Sequence, residues 1–223
     1  MKTIVYIDGY NFYYGCLKGS KYKWLDIFQL CEEILRIQSP AYELVKVHFF
    51  TAPVKSSFSK RGGQSQSAQA VYHQALMQLY SDKIQITEGY FQPERINAIV
   101  GNKPPVLTDL TKVWKPEEKQ TDVNIAVSAI EDALYKRCEQ IVFFSNDSDL
   151  GPALAMIKRN FPEIKRAAIF PVLSSTPRHG SAELQKYVSW SRKHIREEEL
   201  ATCQLPSKIS RAPSKPAKKP KHW

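Results

Sequence analysis

The sequence has no Cys-x-x-Cys pair. Its four cysteines, Cys16, Cys31, Cys138 and Cys203, are scattered, and no histidine stands at zinc-ligand spacing from them. That excludes a disulfide framework and a structural zinc site and predicts reduced thiols used for packing. No run approaches the roughly 18 apolar residues of a membrane span. Behind Met1 the only apolar stretch is Thr3–Ile7, too short for a signal-peptide core before Asp8 interrupts it. A cytoplasmic protein with no membrane partner is expected. The chain also lacks a Gly-x-Gly-x-x-Gly turn after its first strand, where Asp8-Gly9-Tyr10-Asn11 stands instead. A pyrophosphate needs those glycines to approach the backbone, so a dinucleotide-dependent dehydrogenase is disfavoured. No internal repeat is visible.

What is present suits one globular α/β domain: 223 residues, 43% hydrophobic and 24% charged. The formal net charge of +10 favours polyanionic partners, but it is unevenly placed. Residues 207–223 hold Lys208, Arg211, Lys215, Lys218, Lys219 and Lys221, three prolines and no acid, so more than half of the excess lies there. With Ile209 and Trp223 as its only large apolar residues, this segment is expected to be mobile. The expected organisation is a domain over 1–206 and a basic, Pro/Lys-rich, disordered tail over 207–223.

Strands and helices alternate before the tail, which predicts a parallel sheet covered on both faces. Strands are expected at Thr3–Ile7, Glu43–Thr51, Ile84–Phe91, Ile141–Phe144 and Arg166–Val172. Helices are expected at Asp26–Ile37, Ala68–Tyr80, Asp122–Arg137 and Leu150–Asn160, and from about Ser181 to near Leu200. The Asp122–Arg137 helix has a broad apolar face, with Val123, Ala126, Val127, Ala129, Ile130, Ala133 and Leu134, which predicts central packing. Pro53–Ser67 reads as a flexible polar excursion, and Pro93–Pro116 as a hairpin or extended arm.

The informative residues are acids. Ligands of open α/β sheets bind beyond the carboxyl ends of the strands. There the predicted elements place Asp8, Asp147 and Asp149, with Asp122 at the start of the central helix. Singly, Asp122 and Asp149 suit helix N-caps, and Asp8-Gly9 and Asn146-Asp147 suit turns. Together, mutually repelling carboxylates at strand ends suit Mg²⁺ or Mn²⁺, hard cations that take oxygen ligands. A phosphatase of the haloacid dehalogenase type would need Asp-x-Asp-x-Thr, and Tyr10 and Phe12 occupy those offsets. Of the five histidines only His179 falls in a loop expected to be exposed, so chemistry by a histidine pair is disfavoured.

Three blocks, Ile7-Asp8-Gly9-Tyr10-Asn11-Phe12, Glu118-Lys119-Gln120-Thr121-Asp122-Val123 and Ser145-Asn146-Asp147-Ser148-Asp149-Leu150, resemble the signature blocks of the NYN domain in its LabA-like branch. That branch belongs to the PIN-like nuclease superfamily, and the resemblance covers roughly residues 1–175. It implies a Rossmann-like, PIN-type three-layer α/β/α fold with a central, mainly parallel sheet. It also implies a divalent-metal-dependent ribonuclease, an endoribonuclease by preference, working at a cluster of aspartates. Carried over, Asp8, Asp122, Asp147 and Asp149 match the catalytic, metal-holding acids, with Asp8 and Asp149 the first choices as direct ligands. Asn11 and Ser145 match the polar residues beside them, and Lys119 matches a lysine ahead of the middle aspartate. Gln120-Thr121 replaces the branch's usual small residue between Lys119 and Asp122. The implied partner is RNA, single-stranded or structured, with DNA as a second candidate, and PIN-like folds often form homodimers. Candidate substrate contacts are Lys60 and Arg61 in the excursion, Arg178 and His179 in a later loop, and Lys218 and Lys219 in the tail. Tyr10 and Tyr13 are open between stacking and packing, whereas Phe12 is expected in the core. The rival reading is a non-catalytic or regulatory RNA-binding module that kept the fold.

Overall fold

A computed structural model describes residues 1–101 and 104–223. In chain order the elements are β1 (Lys2–Asp8), α1 (Gly9–Phe12), α2 (Ile27–Gln38), β2 (Glu43–Thr51), α3 (Gly63–Tyr80), β3 (Ile84–Glu88), β4 (Tyr90–Ile99), β5 (Leu110–Lys119), α4 (Thr121–Leu134), β6 (Gln140–Phe144), α5 (Gly151–Asn160), β7 (Lys165–Ile169), α6 (Ala182–Gln185), β8 (Trp190–Arg192), α7 (Glu197–Thr202), β9 (Lys208–Ile209) and β10 (Ala217–Lys218). Among the described residues the main sheet has six strands in the order β3-β2-β1-β6-β7-β8, all parallel. The chain lays β1, β2 and β3 outward in one direction, then returns to place β6 on the other side of β1. The order therefore reverses between β1 and β6, and a crevice opens there at the carboxyl ends.

Burial on both faces explains why β1 and β6 are continuously apolar rather than alternating. Val5 and Ile7 point into a layer with α2 and α3, together with Val47, Phe49, Val142 and Phe144. Ile4 and Tyr6 point into the opposite layer, with Phe50, Phe143 and the inner residues of α4 and α5. This is the expected three-layer α/β/α architecture. All four cysteines are buried and unbridged, as their scatter predicts. No helix among the described residues is long and apolar enough to cross a membrane.

Several elements depart from the sequence-based expectation. The polar excursion is shorter, because α3 begins at Gly63: Gln64, Gln66 and Ser67 face solvent, where polar residues cost a helix little. The strand expected over Ile84–Phe91 is two strands. Gly89 marks the break, passing so close to Lys119 that a Cβ would lie 2.4 Å from its carbonyl oxygen. β4 then leaves the main sheet and pairs antiparallel with β5 along its whole length, Tyr90 opposite Lys119 and Ile99 opposite Leu110. The apolar face of α4 is only half used: Ile125, Ala129 and Ala133 are buried, whereas Val123, Val127 and Leu134 are exposed. The long helix expected after Ser181 is replaced by α6, β8 and α7. Ser189-Trp190-Ser191-Arg192 extends the sheet instead, with Ser189 donating its N–H to the Arg166 carbonyl and Trp190 Nε1 donating to Gln140 Oε1 at 3.2 Å.

The tail expected to be mobile is packed. Trp223 lies edge-on to Trp24, with ring centroids 6.3 Å apart, and 5.8 Å from Tyr72. Ile209 and Ala217 are buried in the same layer, and β9 pairs with β10. Gln74 and Gln78 both donate to the Lys215 carbonyl. Arg211 reaches the Gln78 carbonyl and Ser81 Oγ. Three apolar anchors spaced along the segment supply the burial that its composition conceals.

Candidate metal centre

Asp8 ends β1 and is nearly buried, with 4% of its surface exposed. Its Oδ1 accepts the Asn11 N–H at 2.9 Å, capping α1, and its Oδ2 accepts the Ser145 hydroxyl at 2.9 Å. α1 can start at once because Gly9 lies against β2, where a Cβ would come 2.6 Å from the Phe50 carbonyl oxygen. At the end of β6, Ser145 Oγ accepts the Asp147 N–H at 3.1 Å. Asp147 Oδ1 accepts the Asp149 N–H at 2.9 Å and caps a single 3₁₀ turn, Ser148–Leu150. Asn11 Oδ1 accepts the Asn146 N–H at 3.1 Å, so Asn11 links the turn after β1 to the turn after β6. Asp122 comes from a third element, in the first turn of α4.

These placements bring one carboxylate oxygen each of Asp8, Asp122 and Asp147 within 4.8 Å of one another. The helix-cap reading of Asp122 and Asp149 does not hold. Gln120 stands at the cap of α4 and Leu150 at that of α5, neither with a side-chain cap bond, while the caps are Asp8 and Asp147. Asp149 lies outside the triplet on the exposed side, yet its charge reaches Asp122. Of the two acids expected first as direct ligands, Asp8 is in this triplet and Asp149 is outside it.

The electrostatics match a cation site. Burial pushes the Asp8 carboxyl up to about 7, with further upward pressure from Asp122 and Asp147 and opposition from the Asn11 and Ser145 hydrogen bonds. Burial also pushes Asp122 up to about 6, reinforced by Asp147, Glu118 and Asp149. Carboxylates in this state are short of positive charge, and three hard oxygen donors fit Mg²⁺ or Mn²⁺.

The other predicted residues are distributed as follows. Lys119, at the end of β5, is ion-paired with Glu117, so its ammonium is committed along the ribbon rather than to the triplet. Asn146 fixes the loop that carries Arg178 and His179: its Nδ2 donates to the His179 carbonyl at 3.2 Å and its Oδ1 accepts the Ser181 N–H at 2.6 Å. Both Arg178 and His179 are exposed there. Lys60 and Arg61 are exposed just before α3. Lys218 and Lys219 lie in the packed tail, whose contacts fall in the second half of α3. That helix runs antiparallel to the strands, so the tail sits toward their amino ends, away from the acids.

Two residues escaped sequence reasoning. Asn146 looks like an ordinary turn former, and its bridging role depends on a loop 33 residues away in sequence. Glu118 stands in the same block as Asp122 and adds negative charge beside it. Burial raises the carboxyl of Glu118 too, and Thr121 Oγ1 donates to it. Its sequence signal was adjacency to Lys119 alone.

Beside the triplet lies a group of rings. Phe12 is buried against Phe144 as expected, 4.8 Å between centroids. Tyr10, Tyr13 and Tyr14 are exposed, with Tyr10 4.5 Å from Tyr14 and 5.9 Å from Phe91 of β4.

The family model described as the NYN domain matches residues 2–164. A protein of Pseudomonas putida (strain DSM 28022 / S16) named 6-hydroxy-3-succinoylpyridine 3-monooxygenase HspA is 37% identical over 240 residues, covering all of this chain and 75% of that protein. A solved structure of a protein of unknown function from Vibrio parahaemolyticus is 17% identical. It superimposes with a TM-score of 0.50 over 86% of this chain and 91% of that one, a likeness of fold alone.

Proposed function

The chain belongs to the NYN domain family, and from that premise we propose that it is a divalent-metal-dependent ribonuclease, cutting RNA internally at the Asp8–Asp122–Asp147 triplet. The three signature blocks support a place in the family's LabA-like branch. One observation carries the reading: three carboxylates from β1, α4 and the β6 turn meet within 4.8 Å, at the point where the strand order reverses. Asp8, Asp122 and Asp147 would hold Mg²⁺ or Mn²⁺, with Asp149 and Glu118 adding negative charge at the rim. Such an ion supplies Lewis-acid activation of water and neutralisation of charge on the scissile phosphate. The chain's own residues fix the carboxylates. Ser145 and the Asn11 amide hold both oxygens of Asp8, and Ser145 also anchors the Asp147 backbone. Asn146 ties the Arg178–His179 loop to the rim, where it can meet substrate phosphate.

A second reading follows the name of the Pseudomonas relative, hydroxylation of a small pyridine. The donor set weighs against it. Three carboxylates differ from the two-histidine, one-carboxylate set of non-haem iron oxygenases, and His48 and His73 lie near Asp132 and Glu88 rather than in the triplet.

The test is cleavage of labelled RNA and DNA with Mg²⁺ or Mn²⁺, by wild type and Asp8→Asn, beside an assay for consumption of 6-hydroxy-3-succinoylpyridine. The expected result is metal-dependent RNA cleavage that Asp8→Asn abolishes, with the pyridine untouched. An RNA-binding module without catalysis would bind RNA and leave it intact. Equal cleavage by the variant would remove the triplet from the chemistry.

A further inference from the structure

The β4–β5 ribbon is unlike the rest of the fold, because both strands are exposed along most of their length. A two-stranded ribbon without a packed face adds little stability of its own, which directs attention to what it displays. Directly opposed residues share a face, and so do residues two apart. One face therefore carries Phe91 with Glu118, Pro93 with Pro116, Arg95 with Trp114 and Asn97 with Lys112. It begins at the metal triplet, where Phe91 meets Tyr10 and Glu118 faces Asp122. It continues outward to Trp114, which is 57% exposed.

Two further contacts give this face the character of a track. The Arg95 guanidinium lies over the Trp114 ring, 5.4 Å from its centroid. Phe58 approaches Trp114 edge-on at 6.4 Å, and that contact brings the 55–61 loop, with exposed Lys55, Lys60 and Arg61, alongside the ribbon. Rings thus line the path from Tyr14 through Tyr10 and Phe91 to Trp114, with Arg95, Lys112, Lys60 and Arg61 as cations around its outer end. Four residues of strand separate Phe91 from the Trp114 position, about 14 Å at the usual rise. That length accommodates about four stacked nucleotides at roughly 3.4 Å each.

We propose that the Phe91–Trp114 face of the ribbon binds an unpaired nucleic-acid strand next to the scissile phosphate. Bases stack on Tyr10, Phe91 and Trp114, and phosphates meet Arg95, Lys112 and the 55–61 loop. Tyr10 and Trp114 are exposed and Phe91 is half-buried; rings interleaved with cations are how single strands are held without sequence readout, and a duplex keeps its base faces stacked and unavailable. The proposal rests on the nuclease reading for the position of the cut, but not for binding itself.

Binding of a fluorescent 12-nucleotide strand, as RNA and as DNA, and of the same RNA as a duplex, tests this by anisotropy in EDTA. Single strands are expected to bind more tightly than the duplex. Phe91→Ala and Trp114→Ala should each weaken single-strand binding about tenfold, Trp114→Phe should retain most of it, and duplex binding should not respond. The exposure of Trp114 makes its variants safe for folding, which circular dichroism checks. No single-strand binding, equal binding of the duplex, or no effect of either alanine overturns the proposal. The two readings fail separately. Ring-dependent binding without cleavage in Mg²⁺ or Mn²⁺ sinks the nuclease and keeps the track, whereas cleavage indifferent to both alanines does the reverse.

Discussion

Asp8 is placed against its own stability. Its carboxyl sits at about 7 in the fold, against 3.8 ordinarily, so the folded state binds the proton more tightly than the unfolded chain. The resulting stability is fully present below about pH 4 and is lost as pH rises through 7. A shift of this size corresponds to at most about 4 kcal/mol at pH 8. Asp8→Asn, which keeps an acceptor for the Asn11 amide, is therefore expected to unfold at higher denaturant than wild type at pH 8 in EDTA. The gap should shrink at pH 5, and an Asn variant less stable than wild type at pH 8 would contradict this electrostatic picture. The same logic governs the cation: added Mn²⁺ should raise the wild-type melting temperature at pH 8 more than at pH 5, where protons compete for Asp8 and Asp122. Ser145→Ala removes the hydroxyl that orients Asp8 and Asp147, and should weaken metal-dependent activity roughly 10–100-fold. Metal titration of the activity would show the loss as reduced apparent affinity.

The acids reach one point through the starts and ends of elements. Asp8 and Asp147 follow β1 and β6 and cap the turns beyond them. Asp122 enters from α4, whose preceding residue Gln120 has a left-handed backbone with φ 79°. That conformation costs a non-glycine residue on the order of 1–2 kcal/mol. Gln120→Gly should raise stability by up to about 1 kcal/mol in chemical denaturation, and unchanged or lower stability would show that the Gln side chain contributes there. The regular elements were legible from sequence because apolar residues recur at strand and helix spacing in β1, β2, α2 and β6. The boundaries that failed are those set by distant partners. β3 and β4 part at Gly89, where β4 turns to pair with β5 and the Lys119 carbonyl leaves no room for a Cβ. β8 is a strand because the edge of β7 was open to it. Half of the apolar face of α4 is left uncovered, a fact of packing that no periodicity reports.

Across the whole molecule, the net charge of +10 is carried on a closed structure rather than on a domain with a loose appendage. Trp223, at the far end of the basic segment, packs on Trp24 and Tyr72, and Trp24 Nε1 donates to the Pro206 carbonyl at 2.8 Å. Trp223→Ala should cost about 1–3 kcal/mol, below the usual range for a fully buried tryptophan because this one is half-exposed. Deleting residues 207–223 should lower the melting temperature and expose Trp24 to a fluorescence quencher; an unchanged melting temperature would restore the picture of a mobile tail. The sequence by itself determined the α/β alternation, the family and the acids, because these depend on local periodicity and on short blocks whose spacing survives as text. Only the tertiary structure decided which three acids converge, that Lys119 pairs with Glu117, that Asn146 and Glu118 belong to the site, and that the ribbon's rings lead away from it. Most of these are distances between residues remote in sequence, fixed by strand order and by packing across the sheet, while the Glu117–Lys119 pair rests on the strand geometry of the ribbon, which puts residues two apart on one face; a linear pattern contains none of this.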